Sequence, residues 1–136
     1  MYKSILLIDD DPINNFINAK LIKKLSLAED IFILANGEEG IRFLLNTEKK
    51  DLPDLILLDV NMPIMNGFEF LEIFSNLTIS NKEKIKIFML TSSGNSQDLE
   101  RIKFFQVDGY IQKPLTSDKL FDALGKKVNM IKNKDL

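Results

Sequence analysis

The sequence predicts an open α/β domain, a three-layer (βα)5 sandwich around five parallel strands. Three observations predict it. Five short apolar runs alternate with segments of helical periodicity. The spans between runs have crossover length, which parallel strands and right-handed connections require. Four of the runs end in polar residues: Asp9-Asp10-Asp11 after ILLI, Asp59 after LILL, Thr91-Ser92 after IFML and Lys113-Pro114 after YIQ. Parallel strands deliver such residues from their carboxyl ends to one shared crevice.

Taken in order, Ser4–Ile8 is short and continuously apolar, as a strand covered on both faces must be. Asp11-Pro12 opens a helix, with Asp at the N-cap and Pro at the first helical position. Ile13, Phe16, Ile17, Leu21 and Leu25 then keep the spacing of one apolar helical face. Residues 31–35 form the second strand, closed by Asn36-Gly37. Residues 38–45 form a helix with Ile41, Leu44 and Leu45 inward. Residues 55–58 are the third strand, bounded by Pro53. Met62-Pro63 and Asn66-Gly67 mark a loop and a turn before a helix over 68–77. Residues 85–90 are the fourth strand, followed by the polar loop 92–95 and a helix over 98–105. Residues 109–112 are a short fifth strand. The last helix follows 114–116 and places Leu120, Phe121, Leu124 and Val128 on one face. Gly125 weakens its continuity, at a cost of about 1 kcal/mol relative to Ala. We therefore expect one domain over residues 1–128 and a short basic extension of the last helix over 129–136.

Composition narrows the chemistry. A chain of 136 residues suits one domain and buries roughly two-thirds of its unfolded surface. The apolar share of 45% and charged share of 28% exclude a disordered chain. Cysteine and histidine are both absent, so the usual zinc ligands and the commonest general base are missing. Any metal must be held by oxygen, which favours magnesium, calcium or manganese. A net charge of −2 argues against a nucleic-acid binder. Lys126, Lys127, Lys132 and Lys134 read as a solvated helix end. No signal-peptide core or membrane-length apolar run is visible, so the expected compartment is the cytoplasm and no membrane partner is expected.

The acids are the informative group. In a sheet of order 2-1-3-4-5, the first and third strands are neighbours at the topological switch point. Asp9 and Asp10 then face Asp59. Three carboxylates packed together need a cation, and magnesium leaves coordination positions for a phosphate. Asp11 reads as a helix cap. Asp59 is the nucleophile candidate, since a carboxylate needs no base to deprotonate it at neutral pH. Lys113 supplies a positive charge to transferred phosphoryl oxygens, and Thr91 a hydroxyl. Backbone N–H groups near Asn61 and Ser92 add donors.

Together the motifs ILLIDDDP, LILLDVNMPIMNG, IFMLTSS and GYIQKPLT, in this order and over roughly residues 4–128, resemble the receiver domain of two-component response regulators. The resemblance implies the flavodoxin-like sheet of order 2-1-3-4-5. It implies that Asp59 accepts a phosphoryl group, with Asp10, Asp59 and the backbone carbonyl of Asn61 on magnesium or manganese and Asp9 acting through water. It further implies that Thr91, Ser92 and Lys113 contact the phosphoryl group, that Tyr110 is an aromatic switch moving with Thr91, and that the Lys113–Pro114 bond is cis. Asn61 and Ser93 occupy positions that tune phosphoryl lifetime. Phe104-Phe105-Gln106 departs from the small-residue ending common before the fifth strand. Adjacent phenylalanines cannot both face the core, so one of them is expected to be partly exposed.

The function so implied is a signalling phosphoacceptor rather than an enzyme acting on external substrates. Its partners would be a sensor histidine kinase or histidine phosphotransfer protein and a downstream protein, with the chain a monomer or weak homodimer. Because the sequence stops soon after the fifth helix, a stand-alone receiver is expected, acting by protein contact or phosphorelay. Two other readings compete. A magnesium-dependent phosphatase with an aspartyl-phosphate intermediate would carry a second acid where Asn61 stands. A flavodoxin-like cofactor carrier needs a hydroxyl- and glycine-rich phosphate loop, and the three aspartates after the first strand would repel an FMN phosphate.

Overall fold

The computed structural model describes residues 1–92 and 96–125. Each apolar run forms a strand: β1 (Tyr2–Ile8), β2 (Ala28–Leu34), β3 (Leu55–Asp59), β4 (Lys86–Thr91) and β5 (Gly109–Gln112). The helices are α1 (Pro12–Lys24), α2 (Gly37–Asn46), α3 (Gly67–Asn76), α4 (Ser96–Ile102) and α5 (Ser117–Leu124). The strands pair in parallel in the order β2-β1-β3-β4-β5. Fold class and strand order are those the sequence predicts.

The central strands are apolar at nearly every position because both faces are covered. Alternate side chains enter different cores. Leu6, Ile8, Ile56, Leu58, Ile87 and Met89 pack with Ile41 and Leu44 of α2, Phe70 and Phe74 of α3 and Ile102 of α4. Ile5, Leu7, Leu55, Leu57, Phe88, Leu90 and Ile111 pack on the opposite face with Ile22 of α1 and with Leu120 and Leu124 of α5. The register Ile8↔Leu58 and Asp59↔Leu90 aligns the carboxyl ends of β1, β3 and β4 at one edge.

Helix ends follow local chemistry. The Asp11 carboxylate accepts hydrogen bonds from the N–H groups of Ile13 (2.9 Å) and Asn14 (3.4 Å). Asn66 and Glu69 cap α3 reciprocally. The other end of α3 is closed by Lys82, whose Nζ donates to the carbonyls of Phe74, Ser75 and Leu77 at 2.9–3.0 Å. The ammonium also complements the helix dipole there. In α5, Gly125 ends the described helix at φ +74°, donating its N–H to the Phe121 carbonyl.

Several expectations are corrected. The apolar face read into α1 is not its buried face: Ile13, Phe16 and Ile17 are 54–68% exposed, while Asn15, Asn18 and Ile22 are buried. Leu21 and Leu25 are only partly covered. The face turned inward carries Asn15, Asn18 and Ile22, and it is held there in part by the hydrogen bond from Asn15 Nδ2 to the Asp9 carbonyl. Leu45 is 58% exposed rather than inward, since its neighbour Leu44 occupies the inward direction. The second strand starts three residues earlier than expected, at the open edge of the sheet, where only one neighbour constrains it. The fourth helix is displaced towards its N-terminus and ends at Ile102. Phe104 and Phe105 lie beyond it; Phe104 is exposed, and the Phe105 ring packs at a tilt with its centre 5.6 Å from that of Phe68, so one of the pair is exposed as expected. Ser93, Val128, the four tail lysines and the 129–136 extension lie outside the described residues.

Gly67 is required by a close approach. A Cβ there would stand 2.7 Å from the Asp59 carbonyl oxygen and 3.0 Å from the Val60 Cα. Both obstacles are backbone. Gly67→Ala is therefore expected to destabilise the fold by about 1–3 kcal/mol, the range for overpacking a tight core. A urea midpoint equal to that of the parent chain would show that this loop yields freely.

Candidate phosphoryl-transfer and metal site

Asp9 sits at the end of β1, where its N–H donates to the Leu34 carbonyl at 3.2 Å. Its Oδ1 accepts from the Asp11 N–H at 3.0 Å, and its carbonyl accepts from Asn15 Nδ2 at 2.8 Å. Asp9 is 2% exposed and Asp59 3% exposed, whereas Asp10 faces solvent. Carboxylate oxygens of Asp9, Asp10 and Asp59 lie within 4.8 Å of one another. The expected triad of acids is thus assembled from two neighbouring strands.

Lys113 enters from the end of β5. Its Nζ is 2.8 Å from Asp59 Oδ1 and 3.6 Å from Asp9 Oδ2. Its N–H donates to the Thr91 carbonyl at 2.8 Å, tying the ends of β4 and β5 together. The Lys113–Pro114 peptide is cis, as the resemblance implied. Thr91 is buried at the same edge, while Ser92 and Asn61 are exposed. The Asn61 N–H reaches Asp59 Oδ1 at 3.4 Å. Tyr110 lies on β5 and is 50% exposed, so its ring is outward in this conformation. The loop after β3 carries Ile64 at φ +71°, a region that β-branched residues seldom enter.

Burial pushes the Asp59 carboxyl up from 3.8 to about 6; the Lys113 hydrogen bond opposes this and the Asp9 charge adds to it. Burial pulls the Lys113 ammonium down, but its contacts with Asp59 and Asp9 outweigh that and leave it raised. Asp59 therefore remains largely ionised at neutral pH, next to a fully charged lysine. Asp9 Oδ2 is buried without a hydrogen bond. That oxygen, with three carboxylates and no nitrogen or sulfur donors, fits a hard divalent cation such as magnesium.

Asn15 gave no functional signal in the sequence. The only hint was the run of asparagines, Asn14, Asn15 and Asn18, in a helix whose intrinsic preference they weaken.

The raised Asp59 value has a defined sign for stability. Between pH 3.8 and about 6 the folded chain holds a proton there that the unfolded chain has released. This group's favourable contribution is complete below 3.8 and is lost as pH rises through about 6. Without divalent metal, Asp59→Asn is expected to stabilise the fold at neutral pH by about 1–3 kcal/mol. The gain should shrink towards zero by about pH 4. Urea titrations at both ends of that range check it, and a gain that is independent of pH would refute the assignment.

Comparison with known proteins agrees with this geometry. The family model "Response regulator receiver domain" matches residues 5–125. The nitrate/nitrite response regulator protein NarL of Escherichia coli K12 is 36% identical over 124 residues, covering 89% of this chain and 52% of that protein. The chain thus spans about half the length of the first curated relatives it matches. A crystal structure of a two-component response regulator from Cytophaga hutchinsonii superposes with a TM-score of 0.80 at 32% identity, over 95% of this chain and 98% of that one. The receiver domain of sensor histidine kinase PA1611 from Pseudomonas aeruginosa PAO1 carries a magnesium ion in its active site cleft. It shares the fold at TM-score 0.76 and 21% identity, over 95% of this chain and 99% of that one. With five parallel strands, a converging acid cluster and a family match over nearly all described residues, this chain belongs to the response regulator receiver domain family.

Proposed function

We propose that the chain accepts a phosphoryl group on Asp59 from a phosphohistidine of a sensor kinase or phosphotransfer protein, and signals by phosphorylation-dependent protein binding or phosphorelay. One observation carries the proposal: the buried Asp59 carboxylate, with Lys113 Nζ at 2.8 Å and two further carboxylates beside it. Asp10, Asp59 and the Asn61 carbonyl would hold magnesium, with Asp9 acting through water. The ion supplies charge neutralisation between the acids and the incoming phosphoryl oxygens. The magnesium in the cleft of the PA1611 receiver supports that choice of ion.

Asp59 offers an ionised oxygen in line with the phosphorus. As the new P–O bond forms, the P–N bond breaks and its electron pair leaves with the imidazole. Lys113 stands against the charge that develops on the phosphoryl oxygens, and Thr91 and the Ser92 N–H donate to them. Held in the same site, a water later hydrolyses the acyl phosphate and regenerates Asp59. Thr91 is drawn to the phosphoryl group, and Tyr110 follows it inward, biasing the surface formed by α4, β5 and α5. Asn61 and Ser93 tune how long the modification lasts.

Acetyl phosphate with magnesium should label the chain with one phosphoryl group, seen by intact mass, and Asp59→Asn should abolish the label. Stoichiometric labelling of that variant would refute the phosphoacceptor assignment. The switch has its own test, since Tyr2 and Tyr110 are the only tyrosines. In a Tyr2→Phe background, iodide quenching of tyrosine fluorescence should fall when beryllofluoride and magnesium are added. Unaltered quenching would remove Tyr110 from the role.

A further inference from the structure

Asn15 lies on the first turns of α1 with only 5% of its surface exposed. Its Nδ2 donates to the Asp9 carbonyl at 2.8 Å, and its Oδ1 is buried without a partner. The orientation of the amide follows from chemistry, because a carbonyl accepts only from the nitrogen. Asn15 also lines a cavity of 330 Å³ between α1 and β2, together with Asp9, Asp10, Phe16 and Glu39.

The Asp9 carbonyl belongs to the planar peptide unit that joins Asp9 to Asp10. Holding its oxygen fixes the plane from which the Asp10 backbone departs. The Asp11 N–H is tied to Asp9 Oδ1 at 3.0 Å, so the residue after Asp10 is held as well. Asp10 itself is exposed on a loop, and its direction is set by these two anchors.

We infer that Asn15 is a positioning residue for the divalent-ion site, orienting Asp10 and Asp9 through the carbonyl between them. It touches neither the ion nor the phosphoryl group. The inference rests on the metal reading above. Groups that orient metal ligands from behind typically affect affinity about 10- to 100-fold.

Isothermal titration with magnesium chloride tests it on the full chain, comparing the parent with Asn15→Leu and Asn18→Leu. Leucine keeps the branching of the asparagine side chain, though it is bulkier, and removes the donor. Asn18 is buried on the same face of α1 and serves as the control for a general disturbance of the helix. Circular dichroism and urea midpoints establish that each variant is folded; Asn15→Ala replaces Asn15→Leu if the latter is not. Magnesium affinity is expected to fall about tenfold for the Asn15 variant alone. Unchanged affinity in that variant overturns the inference and leaves the metal reading intact. Equal losses in both variants also overturn it, by showing a helix-wide effect. No binding by the parent chain overturns the metal reading and the inference with it.

Discussion

The structure turns on one electrostatic imbalance: among the described residues, three carboxylates and one ammonium converge at the carboxyl edge of the sheet. Asp9 and Asp59 are almost completely buried, and Lys113 is shared between them. One lysine cannot balance three acids, and in a partly desolvated crevice the remaining repulsion is stronger than it would be in water. Burial pushes the Asp59 carboxyl up to about 6, and the Asp9 charge adds to it against the opposing Lys113 hydrogen bond. A divalent cation at this cluster would relieve that repulsion, which is the physical basis of the magnesium site proposed above.

Backbone architecture makes that imbalance sustainable. β1 and β3 lie side by side with their ends in register, so their terminal acids meet without any side chain reaching far. Gly67 lets α3 begin directly against the Asp59 backbone, and its N–H donates to the Val60 carbonyl at 2.9 Å. The tie from Lys113 to Thr91 brings the ammonium to the same edge. The stored electrostatic cost is offset by two apolar cores, one on each face of the sheet.

The surroundings of the site are less polar than its centre. Ile13, Phe16 and Ile17 stand exposed on α1, and Phe16 and Ile33 share a cavity with Asp9 and Asp10. On the other side of the sheet edge, Tyr110 is half exposed, and Phe104 stands out beyond the end of α4. Arg101 Cζ lies 4.0 Å from the centre of the Phe68 ring, linking α4 to α3. Polar chemistry at the centre is thus framed by apolar surface on both sides.

Much of this was legible in the chain itself. Continuous apolar runs and crossover spacing identify buried parallel strands, and the polar residues closing those runs identify the acids, the hydroxyl and the lysine of the crevice. Local rules of the same kind placed Asp11 at its cap and Asn66-Gly67 at the start of α3. What the sequence could not decide was rotation and depth. Which stripe of α1 turns inward, whether Leu45 is covered and how far Asp59 is desolvated depend on residues distant along the chain. α1 shows why: Ile13, Phe16 and Ile17 have the right period for a core face, yet the helix buries Asn15 and Asn18 instead. Periodicity reports that a face exists, whereas only the packing of one element against another chooses which face it will be.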